Sequence, residues 1–179
     1  MIKKGSIRYF CTYIFANFLI FSGFVARAKA KALRGDHVLS IYFHKPSVVE
    51  FESCVKWLIR NRFSFISTDE LYNIIVARLP FPKGAVLLTA DDGWQTNEEN
   101  IVAIAKKYNI PITIFISTDP VEQGNYWWSY VLEAKRKGIP VAPVKQLKKI
   151  PDQIRTKIIC DLASQVHLER NAMTIEQVQ

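Results

Sequence analysis

The amino-acid sequence predicts an α/β fold with a parallel sheet or barrel from the order of its segments, and its composition and cysteines exclude other classes of protein. From residue 38 onward, short apolar segments alternate with segments of helical periodicity in the order β-α-β-α-β-α-β, with short connections. Of the 179 residues, 49% are apolar and 22% are charged, which excludes a disordered chain or a fibrous repeat. The three cysteines lie far apart at positions 11, 54 and 160, which indicates neither a disulfide framework nor a CxxC zinc site.

An apolar segment with basic flanks, residues 1–35, precedes this alternating pattern. Residues 9–26 carry no charge, and as a helix they would span about 27 Å, close to the hydrocarbon thickness of a membrane. Three interpretations place the segment at a membrane: a signal peptide cleaved near Ala28, a retained anchor, or an interfacial helix. The fourth is an ordinary helix buried against the domain. The basic residues after the apolar run disfavour translocation of the domain C-terminal to them and favour anionic headgroups.

The positive charge of the chain is concentrated in this segment. The sequence has 24 Lys and Arg residues against 16 Asp and Glu residues, a formal net charge of +8. Seven of the basic residues and no acidic residue lie in 1–35: Lys3, Lys4, Arg8, Arg27, Lys29, Lys31 and Arg34. Removing those seven leaves 17 basic and 16 acidic residues in 36–179, a net charge of +1. A nucleic-acid interface needs clustered surplus positive charge, so no nucleic-acid partner is expected.

The first elements of the domain 36–179 follow from apolar runs and capping boxes. Residues 38–43 and 63–66 are predicted strands. The pairs Ser47/Glu50 and Ser67/Glu70 are capping boxes, each of which opens a predicted helix. The apolar face of the first helix consists of Phe51, Val55, Leu58 and Ile59. The second helix runs to about Arg78, because Pro80 and Pro82 end it.

The next elements surround an acidic turn. Residues 85–89 form the clearest predicted strand, and Asp91-Asp92-Gly93 terminates it. A helix over 98–108 comes next, capped by Thr96 or Asn97 and ended by Asn109, before a strand at 112–116.

The alternation of predicted strands and helices is less regular after residue 118. A loop through Tyr126-Trp127-Trp128 leads to a predicted helix at 129–137, and a proline-containing connector comes after it. Pro151 opens a helix to about residue 168, with Ile154, Ile158, Leu162 and Val166 at helical spacing. Thr174 and Gln177 form a third capping box.

The adjacent carboxylates Asp91 and Asp92 are the strongest candidates for chemistry. They come directly after a predicted strand, and in α/β folds the carboxyl ends of strands carry functional groups. Two neighbouring carboxylates repel each other unless a metal or a shared proton relieves them. Consecutive residues leave a strand in different directions, so that one is able to bind a metal while the other handles a proton. Asp-Asp-Gly is also ordinary turn chemistry, and on the residues alone both interpretations stay open.

Leu87-Leu-Thr-Ala-Asp-Asp-Gly-Trp94 resembles the T-F-D-D-G signature of the polysaccharide deacetylases, the NodB-homology or carbohydrate esterase family 4 enzymes. The resemblance covers about 38–179 and is strongest over 85–118. Four further segments resemble family features: Ile41–His44, Ser67–Leu71, Pro111–Phe115 and Tyr126–Trp128. This resemblance implies a partial, irregular (β/α) barrel of the deacetylase type, preceded by the apolar N-terminal helix.

The resemblance also implies a reaction and a site. In the family the reaction is hydrolysis of N-acetyl groups on an amino-sugar polymer. With its N-terminal segment, this chain is expected to be membrane-associated or exported to the cell envelope. Asp91 would be the general base and Asp92 a ligand of a divalent metal, usually zinc. The family's second signature, H-[ST]-x-x-H-P, does not occur in this sequence. The chain is therefore expected to hold an N-terminal portion of a deacetylase and to be weakly active or inactive, because catalytic zinc has three protein ligands.

Other residues near the signature have two interpretations each. Position 90 is Ala where the family mostly has Phe, which is expected to loosen the packing behind the acidic pair. His44 is either a substrate-side residue or a strand-end histidine bonded to the backbone. His167 is expected at a solvated or core-edge position rather than as a ligand. Tyr126, Trp127 and Trp128 are either a platform for sugar stacking or packing residues of the next helix.

Two alternative functions use the same features differently. The acidic pair also fits a magnesium-dependent phosphatase-like or receiver-like domain, although the phosphatase pattern is Asp-x-Asp and a receiver has its phosphoacceptor on a later strand. The aromatic residues and the N-terminal segment fit a non-catalytic, membrane-associated carbohydrate-binding protein.

Overall fold

The structure is a computed structural model that describes residues 7–179, so that Lys3 and Lys4 lie outside the described residues. The helices are α1 (Ile7–Phe21), α2 (Phe24–Ala32), α3 (Val48–Arg60), α4 (Thr68–Val76), α5 (Ala103–Tyr108), α6 (Thr118–Gln123), α7 (Trp127–Arg136), α8 (Val144–Leu147), α9 (Asp152–Ala163) and α10 (Ile175–Val178). A π-helical turn, Glu98–Val102, leads into α5. The strands are β1 (Leu39–Phe43), β2 (Ser64–Ile66), β3 (Ala85–Ala90) and β4 (Thr113–Ile114).

The four strands form one sheet around β3, in the order β1-β3-β2, with β4 also paired to β3. β2 runs parallel to β3, with Ser64 opposite Ala85. β4 runs parallel to the end of β3, with Thr89 opposite Thr113. All six residues of β3 are buried, which explains why its sequence is apolar apart from Thr89 rather than alternating. The predicted α/β fold with parallel strand pairing is therefore confirmed.

The chain divides into two compact units, and the first consists of Met1–Ile41 and Val55–Leu88. Its small core contains Ile66, Ala85 and Leu87. The capping box predicted at the start of α4 is present, because the backbone N–H of Glu70 donates to Ser67 Oγ and the Glu70 carboxylate accepts from the Ser67 N–H.

The N-terminal helices α1 and α2 also belong to this first unit. Ala32 at the end of α2 is buried, and Lys29 Nζ donates to Asn61 Oδ1 at 2.9 Å. No single helix in residues 7–179 has the length and hydropathy of a membrane span, whereas Phe10–Phe21 and Phe24–Ala32 together do, across a bend of 64°.

The second unit consists of Tyr42–Cys54 and Thr89–Gln179. A core cluster in its C-terminal part is made by α7, α8 and α9 and the turn after α9: Val131, Ala134, Leu147, Leu162 and Val166. The capping boxes at Ser47/Glu50 and Thr174/Gln177 are both present. The sequence-based division into 1–35 and 36–179 stays a prediction.

Several predicted helix details are wrong. Ile59 in α3 is 43% exposed although Phe51, Val55 and Leu58 are fully buried, because a residue one position after Leu58 points about 100° around the helix from it. Neither Thr96 nor Asn97 caps the next helix. Asn97 already has helical backbone angles, whereas a capping side chain needs an extended backbone to reach the first-turn N–H groups.

Element lengths after β3 also differ from the prediction. β4 contains only Thr113 and Ile114, because β3 ends at Ala90 and leaves the later residues without a strand opposite. α6 and α8 have no counterpart in the sequence-based prediction, and α7 begins at Trp127 rather than 129. α9 ends at Ala163, so that His167 lies beyond the helix and is exposed.

Candidate functional site

The acidic pair lies where β3 leaves the sheet. The Asp91 N–H donates to the carbonyl oxygen of Phe43 at 2.8 Å, and the Phe115 N–H donates to that of Ala90 at 2.8 Å. The backbone then turns sharply, with φ of +73° at Asp92 and +77° at Gly93. β3 ends at Ala90, and this change of backbone direction between Asp91 and Gly93 makes the two carboxylates leave the backbone in different directions.

Hydrogen bonds and close packing from other residues of the second unit fix the turn. The Ser117 N–H donates to the Asp92 carbonyl oxygen at 3.1 Å, and the Met173 N–H donates to the Gly93 carbonyl oxygen at 2.9 Å. Gly93 packs so closely on Ile116 that a Cβ atom at position 93 would lie 2.9 Å from Ile116 Cγ2. Only glycine combines this backbone conformation with this packing without strain.

The Asp92 carboxylate has two ring nitrogens at one of its oxygens. His44 Nδ1 lies 3.2 Å from Asp92 Oδ2, and Trp94 Nε1 donates to the same oxygen at 3.3 Å. The His44 side chain is 56% exposed and that of Asp92 is 28% exposed. His44 can donate from Nδ1, which leaves Nε2 as the acceptor of the ring. The other carboxylate oxygen, Oδ1, has no hydrogen bond from a described residue.

The side chain of a buried tyrosine, Tyr126, contacts the backbone of Asp92. Tyr126 is fully buried, and its hydroxyl donates to the Asp92 carbonyl oxygen at 3.2 Å. Its ring packs between Trp94 and Trp128, with ring centroids 4.4 Å and 4.7 Å away. Burial raises the pKa of the Tyr126 hydroxyl, and the Asp92 charge raises this pKa further. The hydroxyl therefore stays protonated and is a permanent donor to the turn.

Asp91 differs from its neighbour. Its side chain is partly buried and makes no hydrogen bond or ion pair with another residue in 7–179. A carboxylate without a fixed partner can exchange a proton with a bound molecule, which is the requirement for a general base.

The described donors do not complete a catalytic metal site. Asp92 and His44 come together, but no group of three or more His, Cys, Asp or Glu side chains within residues 7–179 is placed to hold a metal ion. Catalytic zinc normally has three protein ligands, and the described residues bring two such donors together at this turn. The position of His167 after α9 agrees with the solvated role predicted for it.

Residues 78–143, which include the acidic turn and β4, match the family model for polysaccharide deacetylase. Over these residues the chain is similar to the polysaccharide deacetylases. The enzymes of this family are hydrolases that act on carbon–nitrogen bonds. This match confirms the resemblance drawn from Leu87–Trp94, and the individual roles of Asp91 and Asp92 stay predictions.

Similar proteins include named deacetylases. The poly-beta-1,6-N-acetyl-D-glucosamine N-deacetylase of Staphylococcus aureus (strain MSSA476) is 38% identical over 77 residues, 43% of this chain and 26% of that protein. The enzyme of the same name from Staphylococcus epidermidis is 32% identical over 77 residues. Among solved structures, IcaB from Ammonifex degensii aligns with 73% of this chain and 66% of its own, with 20% identity and a TM-score of 0.47. The deacetylase match thus spans about a quarter of the length of these curated relatives.

Sequence reasoning missed the contacts of Asp92 with His44 and Trp94. The first contact depends on the pairing of β1 with β3: the hydrogen bond from the Asp91 N–H to the Phe43 carbonyl oxygen places His44, the next residue, beside the turn. The two sequence-based interpretations of His44, a substrate-side residue or a strand-end histidine, did not connect it with Asp92. Of the three aromatic residues at 126–128, Tyr126 is a packing residue, whereas Trp127 and Trp128 are partly exposed.

Proposed function

We propose that this polysaccharide deacetylase segment serves the hydrolysis of N-acetyl groups on a β-1,6-linked N-acetylglucosamine polymer. The observation that carries the proposal is the acidic turn: two consecutive carboxylates at the end of a buried strand, within the residues that match the family. The named substrate of the staphylococcal relatives supports the choice of polymer.

The residues of the turn have distinct proposed roles. Asp91, which has no fixed partner among the described residues, takes a proton from the water that attacks the acetyl carbonyl. Asp92 is fixed by His44, Trp94 and the Tyr126 hydroxyl. We assign Asp92 as a ligand of a divalent metal, zinc by family resemblance. Because Asp92 and His44 supply two donors and catalytic zinc takes three, we infer that these 179 residues release acetate slowly or not at all on their own.

A chimeric enzyme, called the graft, tests whether the acidic turn supports catalysis. Residues 78–143 would replace the corresponding segment of the S. aureus N-deacetylase, which supplies its own remaining residues. We expect the graft to release acetate from β-1,6-linked N-acetylglucosamine oligomers and Asp91→Asn to slow that release by about 10²- to 10⁴-fold. A folded graft without acetate release, in an assay in which the parent enzyme is active, would refute the proposal.

The full chain tests the inference of low activity. Acetate release would be measured with and without added zinc, beside phosphate release from a phosphate ester with added magnesium. We expect at most slow acetate release and no phosphate release. Robust acetate release by the full chain that is lost in the Asp91→Asn variant would disprove the inference of low activity. Magnesium-dependent phosphate release would favour the phosphatase-like alternative.

We propose further that α1 and α2 attach the protein to an anionic membrane surface. Aromatic side chains along α1 expose more than half of their area: Phe10, Tyr13, Phe15, Phe18 and Phe21. α2 carries Arg27, Lys29 and Lys31 and no acidic residue. An apolar helix followed by basic residues fits the boundary between acyl chains and anionic headgroups.

Vesicle flotation tests the attachment. The full chain is expected to float with vesicles that contain phosphatidylserine and to bind less to purely zwitterionic vesicles. Arg27→Gln with Lys31→Gln should weaken the first binding, whereas Lys135→Gln with Lys137→Gln, in and after α7, should not. Equal binding to both vesicle types would contradict the proposed attraction of α2 to anionic headgroups. No flotation with either vesicle type would contradict the membrane attachment itself.

A further inference from the structure

A cavity of about 550 Å³ lies in the second unit, next to the acidic turn. This volume is in the range of sites for small molecules. Ile116 and Ser117 line the cavity and also contact the turn, through the packing of Ile116 on Gly93 and the bond from the Ser117 N–H to Asp92. Trp128 lines it from another side and stacks on Tyr126, which supports Asp92. Some residues that line the cavity therefore also contact the turn.

Two indole rings form the aromatic part of the lining. Trp127 and Trp128 meet edge to face, with ring centroids 5.7 Å apart and an angle of 84° between the rings. The Arg155 guanidinium lies over the Trp127 ring, 4.9 Å from its centroid. Apolar faces next to polar groups suit a sugar ring, which has an apolar face and a polar edge.

The charged groups of the lining have a net negative charge. Arg155 forms an ion pair with Asp152, so its positive charge is already compensated within the cavity. Asp119 is a second carboxylate in the lining, is exposed, and forms no ion pair with another described residue. The cavity thus offers one uncompensated negative charge beside aromatic faces.

We propose that this cavity binds a glucosaminium unit, an amino sugar that has already lost its acetyl group, while the neighbouring unit of the same polymer lies at the acidic turn. The inference rests on the proposed function for the nature of the polymer. Deacetylation turns a neutral amide into an amine that is protonated below neutral pH, and Asp119 favours that cation over the neutral N-acetylated unit. The cavity would then direct the enzyme to units next to those already deacetylated.

The test is binding, so that its outcome does not depend on catalysis. The full chain would be titrated at about pH 6 with β-1,6-linked trimers of glucosamine and of N-acetylglucosamine. We expect the glucosamine trimer to bind about two- to fivefold more tightly, the preference that one exposed ion pair supports. Asp119→Asn should remove the preference. Asp161→Asn, an exposed carboxylate on α9 outside the cavity, should leave it unchanged.

Nuclear magnetic resonance locates the binding. The indole N–H signals of Trp127 and Trp128 should shift on addition of the glucosamine trimer, whereas that of Trp57 in the first unit should not. Absence of binding, a preference for the acetylated trimer, or a preference that survives Asp119→Asn would overturn the proposal. Preferential binding together with an inactive graft would instead refute the deacetylase function and leave the cavity as an amino-sugar site.

Discussion

Gly93 gives the sharpest prediction for the acidic turn, because two separate effects oppose any side chain there. Its φ of +77° costs an L-residue about 1–2 kcal/mol. A Cβ atom would also lie 2.9 Å from Ile116 Cγ2 and 3.3 Å from Ile116 Cβ, and forced overpacking costs about 1–3 kcal/mol. Gly93→Ala should therefore lower the free energy of unfolding by about 2–5 kcal/mol.

Two further variants separate these effects. Gly138 has nearly the same φ, +78°, and a Cβ atom added there would have no atom within 4 Å, so Gly138→Ala should show the backbone cost alone, about 1–2 kcal/mol. In an Ile116→Ala background, which removes the methyl group at 2.9 Å but keeps the Cβ atom at 3.3 Å, Gly93→Ala should cost less than in the unchanged chain and approach the cost of Gly138→Ala. Urea unfolding followed by tryptophan fluorescence measures each value. Equal costs for Gly93→Ala with and without Ile116 would refute the packing argument.

Three other predictions concern the support of the site and the helix starts. Phe51→Ala should cost about 3–5 kcal/mol in urea unfolding, because the ring is fully buried against Phe43; a cost below about 1 kcal/mol would contradict its core role. Tyr126→Phe should cost about 1 kcal/mol, the net value of its bond to Asp92, and an unchanged stability would show that the bond contributes nothing. Hydrogen bonds from the Ser67 backbone and side chain lower the pKa of the Glu70 carboxyl below its usual value. Their stabilisation is therefore complete above the unfolded-state pKa and is lost as the pH falls through the lower folded-state pKa. Glu70→Gln keeps the capping geometry and should flatten the acid side of the melting-temperature profile; an unchanged profile would contradict this.

The sequence predicts those parts of the fold that depend on local chemistry. The capping boxes at Ser47, Ser67 and Thr174 are all present, because each consists of a side chain and a backbone group three residues away. β3 is evident because a strand buried on both faces is apolar almost throughout. α6 and α8 are not evident, because six- and four-residue helices have too few turns to show periodicity.

The candidate site is predictable in its chain position but not in its surroundings. Asp91 and Asp92 lie at the end of β3 as predicted, because the Asp-Asp-Gly turn comes directly after the apolar run. The approach of His44 depends on the pairing of β1 with β3, which is a long-range contact with no local signal. Burial of Tyr126 likewise results from packing between Trp94 and Trp128, so its support of Asp92 is visible only in three dimensions.

The central claim, that Asp91 is the base of a deacetylase turn, is tested most directly by acetate release from the graft of residues 78–143 in the S. aureus enzyme. Asp91→Asn should lower the rate by about 10²- to 10⁴-fold, the contribution of a positioned general base. Glu122→Gln, an exposed acid in the same segment, should leave the rate unchanged. An Asp91→Asn graft that releases acetate as fast as the unsubstituted graft would contradict the claim.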